Sequence, residues 1–177
     1  MQSLVEDMLT LTRLESVDFP LRPERINMTN LLEQIVSEMH GLSVGKHQLT
    51  LVNEGPDLMG SLEELRSAFT NLVSNAIRYT PVGGVIAISW TNPESGPKLM
   101  VKDSGIGISS EHISRLTERF YRVDKSRSRE TQGTGLGLAI VKHVVLRHKA
   151  QLSIESVVGV GSTFSIQFPP SAAVMAF

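Results

Sequence analysis

Apolar residues recur at helical spacing in several stretches of this chain, and between those stretches they alternate over strand-length runs. In residues 1–16, Leu4, Met8, Leu11 and Leu14 fall on one face and predict a helix. A helix this short needs a partner, in its own domain or in another chain. Asp18-Phe19-Pro20 and Arg22-Pro23 end the pattern and predict a linker over 19–24.

From Arg25 the pattern predicts one compact domain to residue 170. A short strand over Arg25–Met28 leads into a helix capped by Thr29 or Asn30 and running to about Val44, with Leu31, Leu32, Ile35, Val36 and Met39 inward. Gln48–Asn53 alternates as a strand. Ser61-Leu62-Glu63-Glu64 predicts a capping box, with Ser61 capping free amides and Glu64 reaching back. Its helix runs to about Tyr79, burying Leu62, Leu65, Phe69, Leu72, Val73 and Ala76, and stops at Pro81 and Gly83-Gly84. Val85–Thr91 and Lys98–Asp103 predict a hairpin, and Ser109–Arg119 a short helix. Residues 122–134 have no apolar period and predict a mobile loop. Leu136–Arg147 is an amphipathic helix, and Gln151–Ser156 with Thr163–Phe168 predict a second hairpin. The tail, 171–177, has no readable pattern.

Composition narrows the classes. The chain has 177 residues, 41% of them hydrophobic, enough for one domain with a proper core. A formal net charge of −1 gives no reason to expect a nucleic-acid or anionic-membrane partner. The absence of cysteine removes disulfides, thiolate metal sites and cysteine nucleophiles. No apolar run approaches a membrane span, and Met1 opens no signal-peptide pattern. The five histidines are scattered and form no metal-binding pattern.

Four segments carry candidate chemistry. On the helix before Tyr79, Asn71 and Asn75 share a side, with Arg78 about a turn later. Asparagine oxygens are hard, neutral ligands suited to magnesium, and an arginine there can take a phosphate oxygen. The same residues also describe the wet edge of an ordinary amphipathic helix. Asp103 ends an apolar strand and leads into Gly105 and Gly107, so its carboxylate can accept from an exocyclic amine such as adenine N6 while glycine lets a flat base approach. Alone, this is also a plain turn. Gly133, Gly135 and Gly137 open a helix whose free amides can hold phosphates. No Lys-Ser/Thr follows them, which excludes a Walker loop, and no βαβ unit surrounds them, which disfavours a dinucleotide fold. Between the glycine clusters, Arg119 to Arg129 is basic with Phe120 and Tyr121 inside it: a closing segment over a triphosphate, or a solvated surface.

In combination these segments resemble the catalytic, ATP-binding domain of bacterial sensor histidine kinases, of the Bergerat or GHKL type. NLVSNAIRYTP resembles the N box, DSGIGI the first glycine box, RFYRVD the F box, GTGLGLAIVKH the second glycine box and GSTFSIQFP the last strand. The resemblance covers about residues 25–169. It implies an α/β (α+β) two-layer sandwich, with a mixed, mainly antiparallel sheet on three helices and ATP held between helices and a flexible lid. By that match Asn75 would ligand Mg2+ and Asp103 would read the adenine amine. Asn71, Arg78, Tyr79 and Arg122 would line the phosphate side, with Asn71, Arg78 and Arg122 the catalytic candidates. Gly105, Gly107, Ile108, Gly133, Thr134, Gly135, Leu136 and Gly137 would shape cleft and lid, and Lys125 is a looser candidate.

The resemblance also has a gap. The phosphate acceptor of these kinases is a histidine beside an acidic residue on the first helix of a dimerisation hairpin, and no such His-Glu/Asp-hydrophobic-Arg segment is present. Residues 1–18 resemble only the end of the second hairpin helix. The expectation is therefore a fragment that binds Mg-ATP, works with a dimerisation domain and a response regulator in its parent protein, and lacks the acceptor. That parent would be anchored in the bacterial inner membrane with this domain in the cytoplasm, and the chain itself would be a monomer or a pair through Leu4, Met8, Leu11 and Leu14. Hydrolases of the same fold place a glutamate four residues before the magnesium asparagine; here that residue is Asn71, whose amide cannot act as a base. Other readings are an anti-sigma-type serine kinase, which the LTERFYRVD segment and the N-terminal helix do not fit, and an interaction module that binds no nucleotide.

Overall fold

The structure, a computed structural model, describes residues 4–124 and 133–175. Helix α1 spans Leu4–Glu15 and β1 spans Glu24–Ile26. The elements that follow are α2 (Met28–Ser43), β2 (Gln48–Asn53), β3 (Asp57–Gly60), α3 (Leu62–Tyr79), β4 (Val85–Thr91) and β5 (Lys98–Asp103). After a single turn of helix, α4 (Ser110–Ile113), come α5 (Gly137–Arg147), β6 (Gln151–Val157), β7 (Gly161–Gln167) and β8 (Ala173–Val174).

The main sheet has five strands in the order β2-β4-β5-β7-β6. Only β2 and β4 pair parallel; β4-β5, β5-β7 and β6-β7 are antiparallel. Ile86, Ile88, Trp90, Leu99, Val101, Phe164 and Ile166 are buried, facing Leu65, Phe69, Leu72 and Val73 of α3 and Ile140, Val141 and Val144 of α5 in one continuous core. The layered, mixed and mainly antiparallel architecture is the expected one.

Several boundaries differ for local reasons. Helix α2 is capped by Asn27, not Thr29 or Asn30: its Oδ1 accepts from Asn30 N at 3.0 Å. Leu62 stays exposed at the start of α3, and Ser109–Arg119 keeps only one turn of helix. A second sheet, β1-β3-β8, was not expected: the tail after Pro170 forms a 3-10 turn and then pairs with β3. Trp90, fully buried, donates from Nε1 to Pro56 O at 2.9 Å and joins this small sheet to the large one.

The capping box forms only by half. Ser61 Oγ accepts from Glu64 N at 3.3 Å, but Ser61 N donates to His148 Nε2 at 3.0 Å. Glu64 instead forms a two-pronged pair with Arg147 at 2.8–3.0 Å. His148 Nδ1 lies 2.8 Å from Val144 O, so Nδ1 carries the proton and Nε2 accepts, which is the neutral tautomer.

Burial holds the His148 pKa below its ordinary 6.5, with Arg147 adding and Val144 O and Glu64 opposing. The unfolded chain therefore takes up a proton below about pH 6.5 that the folded chain refuses, so stability falls as pH drops through that value. The urea midpoint should decline between about pH 7 and 5, with a shallower slope in His148→Gln. An equal slope in both would exclude this role.

Candidate nucleotide-binding site

Asp103 is the last residue of β5, a central strand, and is 8% exposed. Its Oδ1 accepts from Gly105 N at 2.9 Å and Ser162 N at 3.2 Å, leaving Oδ2 without a partner among the described residues. Burial raises the Asp103 pKa from 3.8, and those two amides oppose the shift. A buried carboxylate held by one oxygen presents the other as an acceptor for a donor brought from outside.

The loop after β5 is fixed at both edges. Ile106 N donates to Tyr79 O at 3.2 Å, Gly159 N donates to Ile106 O at 2.8 Å, and Ile108 N donates to Ser156 Oγ at 2.7 Å. Gly107 has φ +73°, and a Cβ there would lie 2.2 Å from Val157 O. At Gly105 a Cβ would lie 2.5 Å from Tyr79 O and 2.8 Å from Asp103 Oδ1. These glycines are required by close backbone approach. Ile108 packs against the core and enters the site as a wall.

Thr80 stands beside this cluster and was not singled out from the sequence. Its buried Oγ1 has no hydrogen-bond partner among the described residues, and the Cβ absent from Gly105 would lie 3.1 Å from it. An orphaned buried hydroxyl close to the Asp103 carboxylate marks a place for a polar ligand. The only sequence signal was its position before Pro81 in the Asn71–Pro81 segment. Nearby, Arg78, Tyr79, Thr80, Pro81 and Ile106 line a cavity of about 180 Å³. That is below the roughly 300–1,000 Å³ of whole ligand sites, so it is the size of a part-ligand notch.

The second half of the site lies along the same face of α3. Asn71 Nδ2 donates to Ser67 O at 2.9 Å, and a Cβ on Gly137 would lie 2.7 Å from Asn71 Oδ1. The amide oxygen thus sits against the first residue of α5, where only glycine leaves room. The side chain of Asn75, one turn later and half-buried, makes no hydrogen bond among the described residues. Helix α5 has no side-chain cap, so its first amides are free for an anion.

Arg78 Nη1 would lie 3.1 Å from a Cβ on Gly133, whose carbonyl accepts from Arg122 Nη1 at 3.1 Å. Burial lowers the Arg78 pKa, and Arg122 adds to this; Tyr79 and Asp7 oppose it. The residue as a whole remains exposed, so the guanidinium stays cationic. Gly135, at φ +78°, accepts from Phe120 N at 2.8 Å, and Thr134 Oγ1 accepts from Leu136 N at 3.3 Å. Leu136 is buried and offers only its backbone. Lys125, and the expected loop over 122–134 apart from its ends, lie outside the described residues.

The fold therefore brings the predicted residues into two neighbouring groups. Asp103, Gly105, Gly107, Ile108 and Tyr79 form one; Asn71, Asn75, Arg78, Arg122 and the Gly133–Gly137 segment form the other. Glu64 is not a substitute base, because its carboxylate is taken by Arg147.

Residues 60–172 match the family of histidine kinase-, DNA gyrase B- and HSP90-like ATPases, and the chain belongs to that family. Within it, the stretches LTERFYRVDKSRSR, GTGLGLAIVKH and MQSLVEDMLTLTRLE are most like phosphate-regulon sensor kinases. In agreement, the chain is 50% identical over 173 residues to the phosphate regulon sensor protein PhoR of Pseudomonas aeruginosa, covering 97% of this chain and 39% of that protein. It is 36% identical to the sensor-like histidine kinase SenX3 of Mycolicibacterium smegmatis, covering 94% and 44%. The chain thus spans about two-fifths of the length of these curated relatives. Among solved structures, the mycobacterial sensor histidine kinase MprB superposes with TM-score 0.74 at 25% identity, covering 88% of this chain and 99% of that one. Full-length ShkA, solved in complex with AMPPNP, shares the fold with TM-score 0.83 at 24% identity, covering 98% of this chain and 36% of that one.

Proposed function

We propose that this chain binds Mg-ATP as the catalytic domain of a two-component sensor histidine kinase. It would deliver the γ-phosphoryl group to a histidine on a dimerisation hairpin, for relay to a response-regulator aspartate. The observation that carries the reading is Asp103, buried at a strand end with one oxygen held by two amides and the other unspent. The 50% identity to PhoR and the AMPPNP held by ShkA support the same assignment. Residues 1–18 would be the end of the hairpin's second helix, 19–23 a linker and 24–174 the catalytic domain, because Glu24 and Ala173–Val174 pair into its smaller sheet. The parent would sit in the bacterial inner membrane with this domain in the cytoplasm. Among the described residues no helix is long and apolar enough to cross a membrane.

Asp103 Oδ2 accepts the adenine N6–H, and the Thr80 hydroxyl offers a second polar contact on the same edge. Gly105 and Gly107 keep the wall flat, and the amides at the start of α5 take phosphate oxygens. Asn75, its amide unspent, would hold a magnesium ion that offsets phosphate charge, with Asn71 beside it. Arg78 and Arg122 steady the terminal phosphate. The acceptor histidine's ring nitrogen attacks the γ-phosphorus as the bond to the β,γ-bridging oxygen breaks. A P–N bond replaces a P–O bond, ADP leaves with the bridging oxygen, and the proton on the opposite ring nitrogen passes to the acidic neighbour of that histidine.

Calorimetric titration checks the adenine reading. ATP with magnesium should saturate the chain, whereas GTP should bind at least about thirtyfold more weakly, because guanine turns a carbonyl oxygen toward the Asp103 carboxylate and a hydrogen bond to charge is lost. Equal binding of ATP and GTP would remove Asp103 from the adenine site.

A further inference from the structure

Helix α1 buries a charge. Asp7 is 3% exposed, and burying a carboxylate is costly unless its oxygens are matched. Oδ2 accepts from Thr134 Oγ1 at 2.5 Å, whereas buried Oδ1 has no hydrogen-bond partner among the described residues. That same Thr134 hydroxyl accepts from Leu136 N, so Asp7 is joined through one side chain to the start of α5. The Asp7 charge also reaches Arg78.

The docking of α1 does not depend on Asp7. Leu11 and Leu14 pack into the core, and Glu15 lies 3.1 Å from His143 Nε2 and pairs with Arg119. Arg147 donates to Leu14 O at 3.4 Å and Phe19 O at 2.8 Å, and Arg13 pairs with Glu63 at 2.7 Å. All these contacts hold the C-terminal half of the helix. The N-terminal half has Leu4, Val5, Met8 and Leu9 exposed, and Asp7 is its one buried residue. A half-matched anion therefore sits in the N-terminal half of α1, beside the groups assigned to phosphate.

We infer that Asp7 is a built-in rival of the nucleotide's phosphates: its carboxylate occupies the Thr134 hydroxyl at the start of α5, so docking of the N-terminal half of α1 and binding of a triphosphate oppose each other. The inference rests on the nucleotide-site reading above and adds a regulation to it. Two anions drawn to one hydroxyl repel. By linkage, whatever the phosphates cost α1, docked α1 costs the phosphates equally. Adenosine, which has no phosphates, is outside this competition.

The test compares the unmodified chain with Asp7→Asn, which keeps shape and an acceptor for Thr134 but removes the charge. Asp7→Asn should bind Mg-ATP about tenfold more tightly, as expected when a like charge is removed from a part-buried site, with adenosine affinity unchanged. In the unmodified chain, saturating Mg-ATP should speed amide hydrogen exchange over residues 4–10 and leave α5 protected. A merely structural Asp7 would lower stability and shift both ligands alike. Equal Mg-ATP affinity in the two proteins, or a matching shift with adenosine, would overturn the inference while leaving the nucleotide site intact. Failure of the unmodified chain to bind either ligand would instead overturn the nucleotide-site reading. Should Asp7→Asn not fold, exchange in the unmodified chain decides, and α1 amides unmoved by nucleotide refute the competition.

Discussion

Asp103→Asn should lose at least about a hundredfold in ATP affinity while remaining folded. A hydrogen bond to a charged group contributes roughly 1.5–3 kcal/mol, which is about one to two decades in affinity. The substitution goes further than removing that bond. Asparagine can keep one oxygen for Gly105 N and Ser162 N, which preserves the loop. Its NH2 group then stands where Oδ2 stood, so a donor meets the adenine amine, itself a donor. The change therefore removes an attraction and adds a buried mismatch. Because burial already raises the Asp103 pKa, acidification should imitate the substitution, weakening ATP from above the usual carboxylate range. Calorimetry with a parallel melting curve checks this. Unchanged affinity in a folded variant would place the base elsewhere.

The second large effect concerns where the phosphoryl group can go. Supplied with a histidine-bearing hairpin, the chain should transfer phosphate to it and release little to water. General-base assistance is worth about 10²–10⁴ in rate, and the hydrolases of this fold need it to activate water. Asn71 cannot supply it, and its amide is already committed, Nδ2 to Ser67 O and Oδ1 against Gly137. Glu64, a carboxylate on roughly the same helix side, is bound to Arg147. Water would thus have to attack without help from either residue, whereas an imidazole nitrogen already carries its lone pair. Transfer to histidine should exceed phosphate release by at least about a hundredfold.

How much of this could be read from the chain follows the range of the interactions. β2, β4 and β5 occupy their predicted residues, because alternation and a Pro/Gly turn are local signals. The capping box failed at its second bond because the amide of Ser61 finds His148, distant in sequence, and Glu64 finds Arg147. β3 and β8 were missed because such short strands have no period; pairing and the Trp90–Pro56 bond define them. In α1 the helix was predicted and its face was turned. Leu4 and Met8 are 47% and 49% exposed, and the inward set is Asp7, Leu11 and Leu14. Spacing alone favoured leucine and methionine over a carboxylate, and only the position of Thr134 reverses that choice. For the site, Asn71, Asp103 and the glycines were visible because their types and order are distinctive. Thr80 was not, since a threonine before proline carries no signal until Gly105 is brought against it.

The central claim is tested most directly by incubating the chain with magnesium and γ-labelled ATP in the presence of a separately prepared hairpin domain bearing the acceptor histidine, taken from a PhoR relative. Acid-labile, base-stable label on the hairpin, with little free phosphate and none without the histidine, is the predicted result. Steady release of free phosphate with an unlabelled hairpin would contradict the account and make the chain a hydrolase.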